Sequence, residues 1–326
     1  MRFLKISGKR FLTVSLLCLA GLIGWLCFRL EAPRQKPVTI GILLSRHTPM
    51  SVRFLKGLRL ILAKQGYRQG ANLRFLIRDY HSVAEAGQRL DQLVQKGAEM
   101  VVIAGDDPLG AIARRNLHRP VILGFVDNPI RKPAQQRIES AKMVTGVSYF
   151  PPYERLLDLS RRVVGNYSRL TVLGDANQAW DDWDRFQAAA RRFGIALQLV
   201  QCDFSGIPQT LASLKGKTDL LYLPGQSAWI TRRRFIGAAL EKAGLPTISN
   251  NMAFRDFTVL SDYAEPETMG EIAGQIVIKI KHGAVPRYLP VELSADYKLI
   301  VNLRLLNRYR LPVNEDVLSY ANEVIR

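Results

Sequence analysis

The chain is poor in the residues that carry metal and nucleophile chemistry. Its 326 residues include three cysteines and four histidines, and the histidines (His47, His81, His118 and His282) are scattered. That spacing offers no zinc-ligand cluster. Cys18 and Cys27 fall near the N-terminus, so Cys202 stands alone in the rest of the chain and no internal disulfide is expected there. There is no Gly-x-Ser-x-Gly elbow, no P-loop and no low-complexity tract. These absences argue against an enzyme and leave binding as the class to pursue, with no catalytic residue, metal or cofactor expected.

Acid is also scarce, with 28 Asp+Glu against 46 Lys+Arg, a formal charge of +18. Residues 1–36 hold seven basic residues and one acid, which leaves 39 basic and 27 acidic residues beyond them. No nucleic-acid motif accompanies the charge, so no nucleic-acid partner is expected. Attraction to an anionic membrane surface, or solubility alone, accounts for it.

The N-terminus is where a long apolar run does occur. Arg2, Lys5, Lys9 and Arg10 precede an uncharged stretch from Phe11 to Phe28, and Arg29 follows. A basic cluster ahead of a hydrophobic segment is the layout of an export signal. The run is longer than most signal cores and near the lower limit for spanning a bilayer. The cleavage candidate after Ala32 is poor, with Leu30 at the outer position and Pro33 beyond. Residues 1–36 are therefore read as a hydrophobic helix acting as an uncleaved anchor or a cleaved signal. Either puts the body in the periplasm or on the outer face of the cytoplasmic membrane.

From Pro37 onward, strand and helix patterns alternate. The central stretch runs from Glu99 to Pro129, where two short apolar runs bracket a helical run at Leu109–Leu117. Short apolar β-branched runs of this kind suit parallel strands buried on both faces. Each strand ends in an acidic turn closed by proline, Gly105-Asp106-Asp107-Pro108 and Val126-Asp127-Asn128-Pro129. At the carboxyl edge of a parallel sheet, where such folds bind ligands, these turns would bring Asp106, Asp107 and Asp127 toward one crevice. Structural readings stay open beside this one: Asp107 as a helix N-cap before Pro108, and Asp127 as a turn former. Thr48-Pro49 repeats the cap-then-proline device after the first strand, at Val38–Ser45, and helix N-termini at that edge offer N–H groups to an anion.

A second βα series begins after Thr145-Gly146-Val147-Ser148, with strands expected at 170–173, 197–202, 219–223, 246–249 and 257–260. Later segments read as a helix at Thr268–His282, a strand at Tyr297–Val301 and a last helix within Leu303–Tyr309. Repeated units of this kind make an α/β fold of two Rossmann-like lobes with parallel sheets, a class that closes on ligands by a hinge.

The order of several short motifs resembles one family. These are His47 after the first strand, Gly57 and Gly66-Tyr67 around the first helix, Asp127-x-Pro129, Thr145-Gly146-Val147 and Asp262-Tyr263. The closing segment adds Leu289-Pro-Val-Glu292, Tyr297-Lys-Leu-Ile-Val-Asn302 and Leu303–Pro312. Together they are similar to the ABC-transporter substrate-binding proteins of the tryptophan/tyrosine type. The resemblance implies a type I periplasmic-binding-protein fold with hinge crossovers. Lobe 1 would be residues 37–147 plus 253–288, and lobe 2 would be 148–252 plus 289–326. It also implies a monomer that takes a small amino-acid-like or amine-bearing molecule between the lobes. The partner would be an ABC permease in the inner membrane, or alternatively a membrane sensor protein that reads the same module.

The residues expected to line the crevice are His47, Thr48, Gly105, Asp106, Asp107 and Asp127 from lobe 1. The matching turns add Asp175, Asn177, Gln226, Ser227, Asn250, Asp262 and Tyr263. The sequence departs from the family's pattern at Gly174-Asp175-Ala176-Asn177-Gln178 and at Pro224-Gly225-Gln226-Ser227, the turns that would read the ligand. Trp180, Trp183 and Trp229 follow these turns, as stacking surfaces for a ligand or as core packing. Arg232-Arg233-Arg234 reads as a solvated helix face, with docking to a partner as the other option.

Overall fold

The computed structural model describes residues 36–45, 48–105, 115, 118–127, 142–149, 152–176, 182–225, 227–313 and 315–326. The expected export segment (all but Lys36), the helix expected at Leu109–Leu117 (all but Arg115), Trp180, and the candidates His47, Asp106, Asp107, Asn177 and Gln226 lie outside them. Asp127 and Ser227 are described by their backbone.

Residues 39–326 form one compact unit built on two sheets. The first half alternates β1 (Val38–Leu44), α1 (Pro49–Lys64), β2 (Leu73–Asp79), α2 (Val83–Gln95), β3 (Met100–Ala104), β4 (Val121–Asp127) and β5 (Val144–Tyr149). The second continues with α3 (Tyr153–Val164), β6 (Arg169–Asp175), α4 (Trp183–Arg192), β7 (Ala196–Cys202), α5 (Ile207–Leu214) and β8 (Leu220–Leu223). Two short helices, α6 (Ser227–Thr231) and α7 (Arg233–Ala243), precede β9 (Thr247–Ser249), a 3-10 turn at Met252–Phe254, and β10 (Leu260–Ala264). Then come α8 (Pro266–Lys281), β11 (Glu292–Leu293), β12 (Tyr297–Asn302), α9 (Leu303–Arg308), α10 (Glu315–Tyr320) and β13 (Glu323–Ile325).

The first sheet has the order β11-β5-β4-β3-β1-β2 and the second β13-β12-β10-β9-β8-β6-β7. Strand pairing is parallel except between β10 and β12, among the registers described. The central strands β3 and β8 are buried along their whole length, as continuous apolar runs require.

Local chemistry sets the helix starts. Thr48 caps α1 in a reciprocal box with Ser51, and Pro49 occupies the first turn, where its missing N–H costs nothing. Ser82 caps α2 through the Glu85 N–H. The helix α1 packs against α8 at glycine. A Cβ on Gly57 would overlap the Glu267 carbonyl oxygen, and one on Gly270 would overlap that of Phe54. The pair also explains why α8, late in the chain, covers the first sheet.

The chain crosses between sheets three times, and the crossings differ from the expected partition. β5 stays in the first sheet to Tyr149, so the first crossing follows Tyr149, just past the expected boundary at 147. The second falls inside the segment 253–288 expected in lobe 1. The strand β10 is held between β9 and β12 in the second sheet, so the chain returns only at Glu265. That strand also begins later than the expected 257–260, because Phe257 and Thr258 are held in the turn before it. The third crossing, 294–296, separates β11 of the first sheet from β12 of the second. The three lie side by side: Ser294 N–H donates to Ser148 O at 2.8 Å, and Glu265 N–H to Asp296 O at 2.8 Å. Among the described residues, no helix is long and apolar enough to cross a membrane.

Candidate functional site

The parallel strands of each sheet end at one edge, and the two edges face each other. The start of α1, just past β1, carries Met50, which packs with Met252 and Tyr263 of the second sheet's edge, alongside Ile300 and Ile325. Since α1 leaves the carboxyl end of β1 and the Met252 turn leaves that of β9, the contact joins carboxyl edge to carboxyl edge. In α/β sheets the crevice outside these ends is where ligands sit.

On the first edge, β1 and β3 end so close together that a Cβ on Gly105 would overlap the Ser45 side chain. Gly105 has φ +152°, a conformation that side-chain-bearing residues rarely adopt. The expected role of Thr48 is taken by helix capping: its hydroxyl accepts from Ser51 N at 3.2 Å. Asp127 is the last residue of β4, placed at this edge by its backbone.

The second edge is built from polar turns. Asp175 ends β6 and is 9% exposed. Pro224 and Gly225 follow β8, and a Cβ on Gly225 would come within 2.6 Å of Asn251 Nδ2. Ser227 opens α6 directly after this turn. At the end of β9, Ser249 donates to Leu223 O at 2.7 Å, and just beyond it Asn251 Oδ1 accepts from Ala253 N at 2.9 Å. Between them stands Asn250, whose Oδ1 is buried with no donor among the described residues. An unmet buried acceptor costs about 1–3 kcal/mol, which a ligand N–H placed there would recover.

The remaining candidates lie on β10. Asp262 lies in mid-strand, fully buried, on the same face as Leu260, which belongs to the apolar cluster beneath α3. Arg155 Nε of α3 is 3.0 Å from Asp262 Oδ2, an ion pair between a half-exposed guanidinium and a fully buried carboxylate. Burial pushes the Asp262 pKa up to about 6, and the Arg155 charge restrains the rise. Tyr263, on the opposite face, packs against Met252, and burial raises its hydroxyl pKa to about 12. Trp229 is 1% exposed and Trp183 packs at the margin of the core, so both serve packing.

Sequence reasoning did not anticipate the grip on the second crossing. Glu265 is almost fully buried and takes two hydrogen bonds from Arg53 of α1, at 3.0 and 2.9 Å, while accepting from Glu267 N at the start of α8. A buried acid directly before a proline at a helix start was the available signal.

Residues 39–325 match the sequence profile of a family described as ABC transporter substrate binding protein. A tyrosine-binding protein from Clostridioides difficile is 19% identical over 282 residues, 83% of this chain and 80% of its own length. Among solved structures, the ABC domain from Streptococcus pneumonia in complex with L-Trp superposes with a TM-score of 0.80 at 20% identity, over 89% of this chain and 100% of that one. The ligand-free, open form of a substrate-binding protein with adhesive properties from Clostridium difficile gives 0.68 at 18% identity, over 88% and 99%. These likenesses establish a two-lobe α/β fold of the type I periplasmic-binding-protein kind.

Proposed function

The chain belongs to the ABC transporter substrate-binding protein family, whose members bind solutes outside the cytoplasm rather than transform them, and from that premise we propose that it captures an amine-bearing, amino-acid-like solute between its two lobes. Two relatives support an aromatic amino acid as the first choice, one named for binding tyrosine and one solved with L-Trp. Delivery would be to a permease in the inner membrane, with residues 1–36 exporting or anchoring the protein on its outer side.

The observation that carries the reading is the orphaned Asn250 oxygen just past β9, on the edge that the first lobe touches through Met50, with Asp127 ending β4 in that lobe. An ammonium donor set between them would satisfy Asn250 and pair with the Asp127 carboxylate, a charge-assisted contact that strengthens as closure excludes water. The three adjoining crossings would serve as the hinge, because backbone hydrogen bonds between crossing segments bend without breaking either core.

A thermal-shift screen of residues 36–326 against amino acids and simple amines tests this, since a solute that binds only the folded form raises its melting temperature by mass action. An upward shift with L-tryptophan or L-tyrosine is expected. A shift confined to solutes without an amine would contradict the proposed ligand class. Small-angle scattering with the bound solute should then show a smaller radius of gyration.

A further inference from the structure

We propose that a basic and aromatic rim on the second lobe, formed by Phe204, Arg232, Arg233, Arg234 and Phe235, docks on anionic phospholipid headgroups. These residues and Thr231 line an open surface cavity of about 440 Å³. Phe204 and Phe235 meet with ring centroids 4.5 Å apart, and the Arg232 guanidinium lies 4.2 Å from the Phe204 centroid. Phe235 is 44% exposed.

The arrangement is unfavourable for the fold taken alone. Three arginines crowd the start of α7, the positive end of its dipole, with no acid in its first turn and no side-chain cap. None of the three forms an ion pair among the described residues, although ion pairs are common elsewhere on this surface. Arg233 donates to Ile230 O, and the nearby Asp203 carboxylate is engaged by Gly206 N and Ser205 Oγ. The site therefore keeps uncompensated guanidinium groups, whose planar fork matches phosphate oxygens.

An exposed phenyl ring among them suits the headgroup boundary, where aromatic rings and arginines settle together, better than it suits an acidic peptide. Phe204 follows β7, and α6 and α7 follow β8, so the rim lies at the same carboxyl edge as the crevice. On the reading that the protein hands its solute to a permease, this edge turns toward the membrane; that placement rests on the proposed function, whereas the chemistry of the rim does not.

Co-sedimentation of residues 36–326 with phosphatidylcholine vesicles, with and without phosphatidylglycerol, tests the proposal without involving any solute. Binding to the phosphatidylglycerol vesicles only, weakening with added salt, is expected. Arg232→Gln with Arg234→Gln should lower the partition coefficient roughly 10–30-fold, at the usual strength of a basic residue near an anionic surface. Phe235→Ala should lower it further. Arg191→Gln with Arg192→Gln removes the same charge from exposed positions on α4 and should leave partitioning nearly unchanged. Three results would overturn the proposal: no preference for phosphatidylglycerol, an equal loss in the α4 pair, or binding to poly-glutamate with vesicles unbound.

Discussion

The two lobes share a parallel frame and hold it together differently. In the first, contacts depend on missing side chains: Gly57 and Gly270 let α1 and α8 touch backbone to backbone, and Gly124 leaves room for the Phe54 ring. In the second, polar groups are buried throughout the core, among them Ser160, Thr171, Asp182, Thr247, Ser249, Thr258, Ser261, Asp262 and Asn302. Among the described residues the first lobe's own elements bury Ser51, Thr145 and Ser148, and Glu265 is buried against Arg53 where the chain returns to that lobe. An apolar, glycine-fitted lobe responds to volume, while a lobe with buried hydrogen bonds and an ionisable carboxylate responds to pH and to the loss of single donors. The lobe with the buried polar groups also carries the orphaned Asn250 at the crevice.

The largest effect should come from volume. Gly57→Leu drives a side chain into the Glu267 backbone and should cost roughly 3 kcal/mol or more, the upper end for overpacking. Denaturant melts should show the same loss at pH 5 and pH 8. A loss that varied strongly with pH would erase the contrast between lobes.

Titration comes next. Asp262 has its pKa raised to about 6, so its contribution to stability is complete below the ordinary aspartate value near 4 and is lost as pH rises through 6. The difference amounts to roughly 3 kcal/mol. Asp219 acts oppositely and elsewhere: its hydrogen bonds from Arg169 lower its pKa to about 2, so its contribution fades only below pH 4. Wild-type protein should therefore lose stability between pH 4 and pH 7 relative to Asp262→Asn, by chemical denaturation at each pH. Parallel curves for the two proteins would remove Asp262 as the cause.

A smaller effect attends a single donor. Tyr153 donates to the buried Asp182 at 2.8 Å, in a core where its ring stacks on Phe186 at 4.4 Å. Tyr153→Phe keeps the stack and should cost about 1–2 kcal/mol. No loss in a urea melt would mean that Asp182 is fully satisfied by its other neighbours.

The alternation of strand and helix was legible because apolar runs, caps and glycines mark it at short range. Val38 and Leu73 open strands where the pattern puts them, and Pro49 and Val83 open helices. The strand β10 was misplaced because its Ser-Asp-Tyr core lacks an apolar run: Asp262 is buried opposite Leu299 by long-range pairing, which no local window records. The same limit divided the site. Asp127 and Asn250 stand at strand ends, which a turn signals, whereas Asp262 and Tyr263, neighbours in sequence, lie buried on opposite faces of one strand. The helix α10 and the strand β13 went unread because each is too short for periodicity to show.

Capture of an amine between the facing edges is tested most directly by calorimetric titration of L-tryptophan and L-tyrosine into residues 36–326 and two variants. Asp127→Asn removes the charge at nearly constant shape and should weaken the bound amino acid about 30-fold to several-thousand-fold, the equivalent of roughly 2–5 kcal/mol for one partner of a desolvated pair. Asn250→Leu removes the orphaned acceptor and should weaken it by about 5–100-fold, without lowering the melting temperature of the ligand-free protein. Undiminished affinity in both variants would contradict the account.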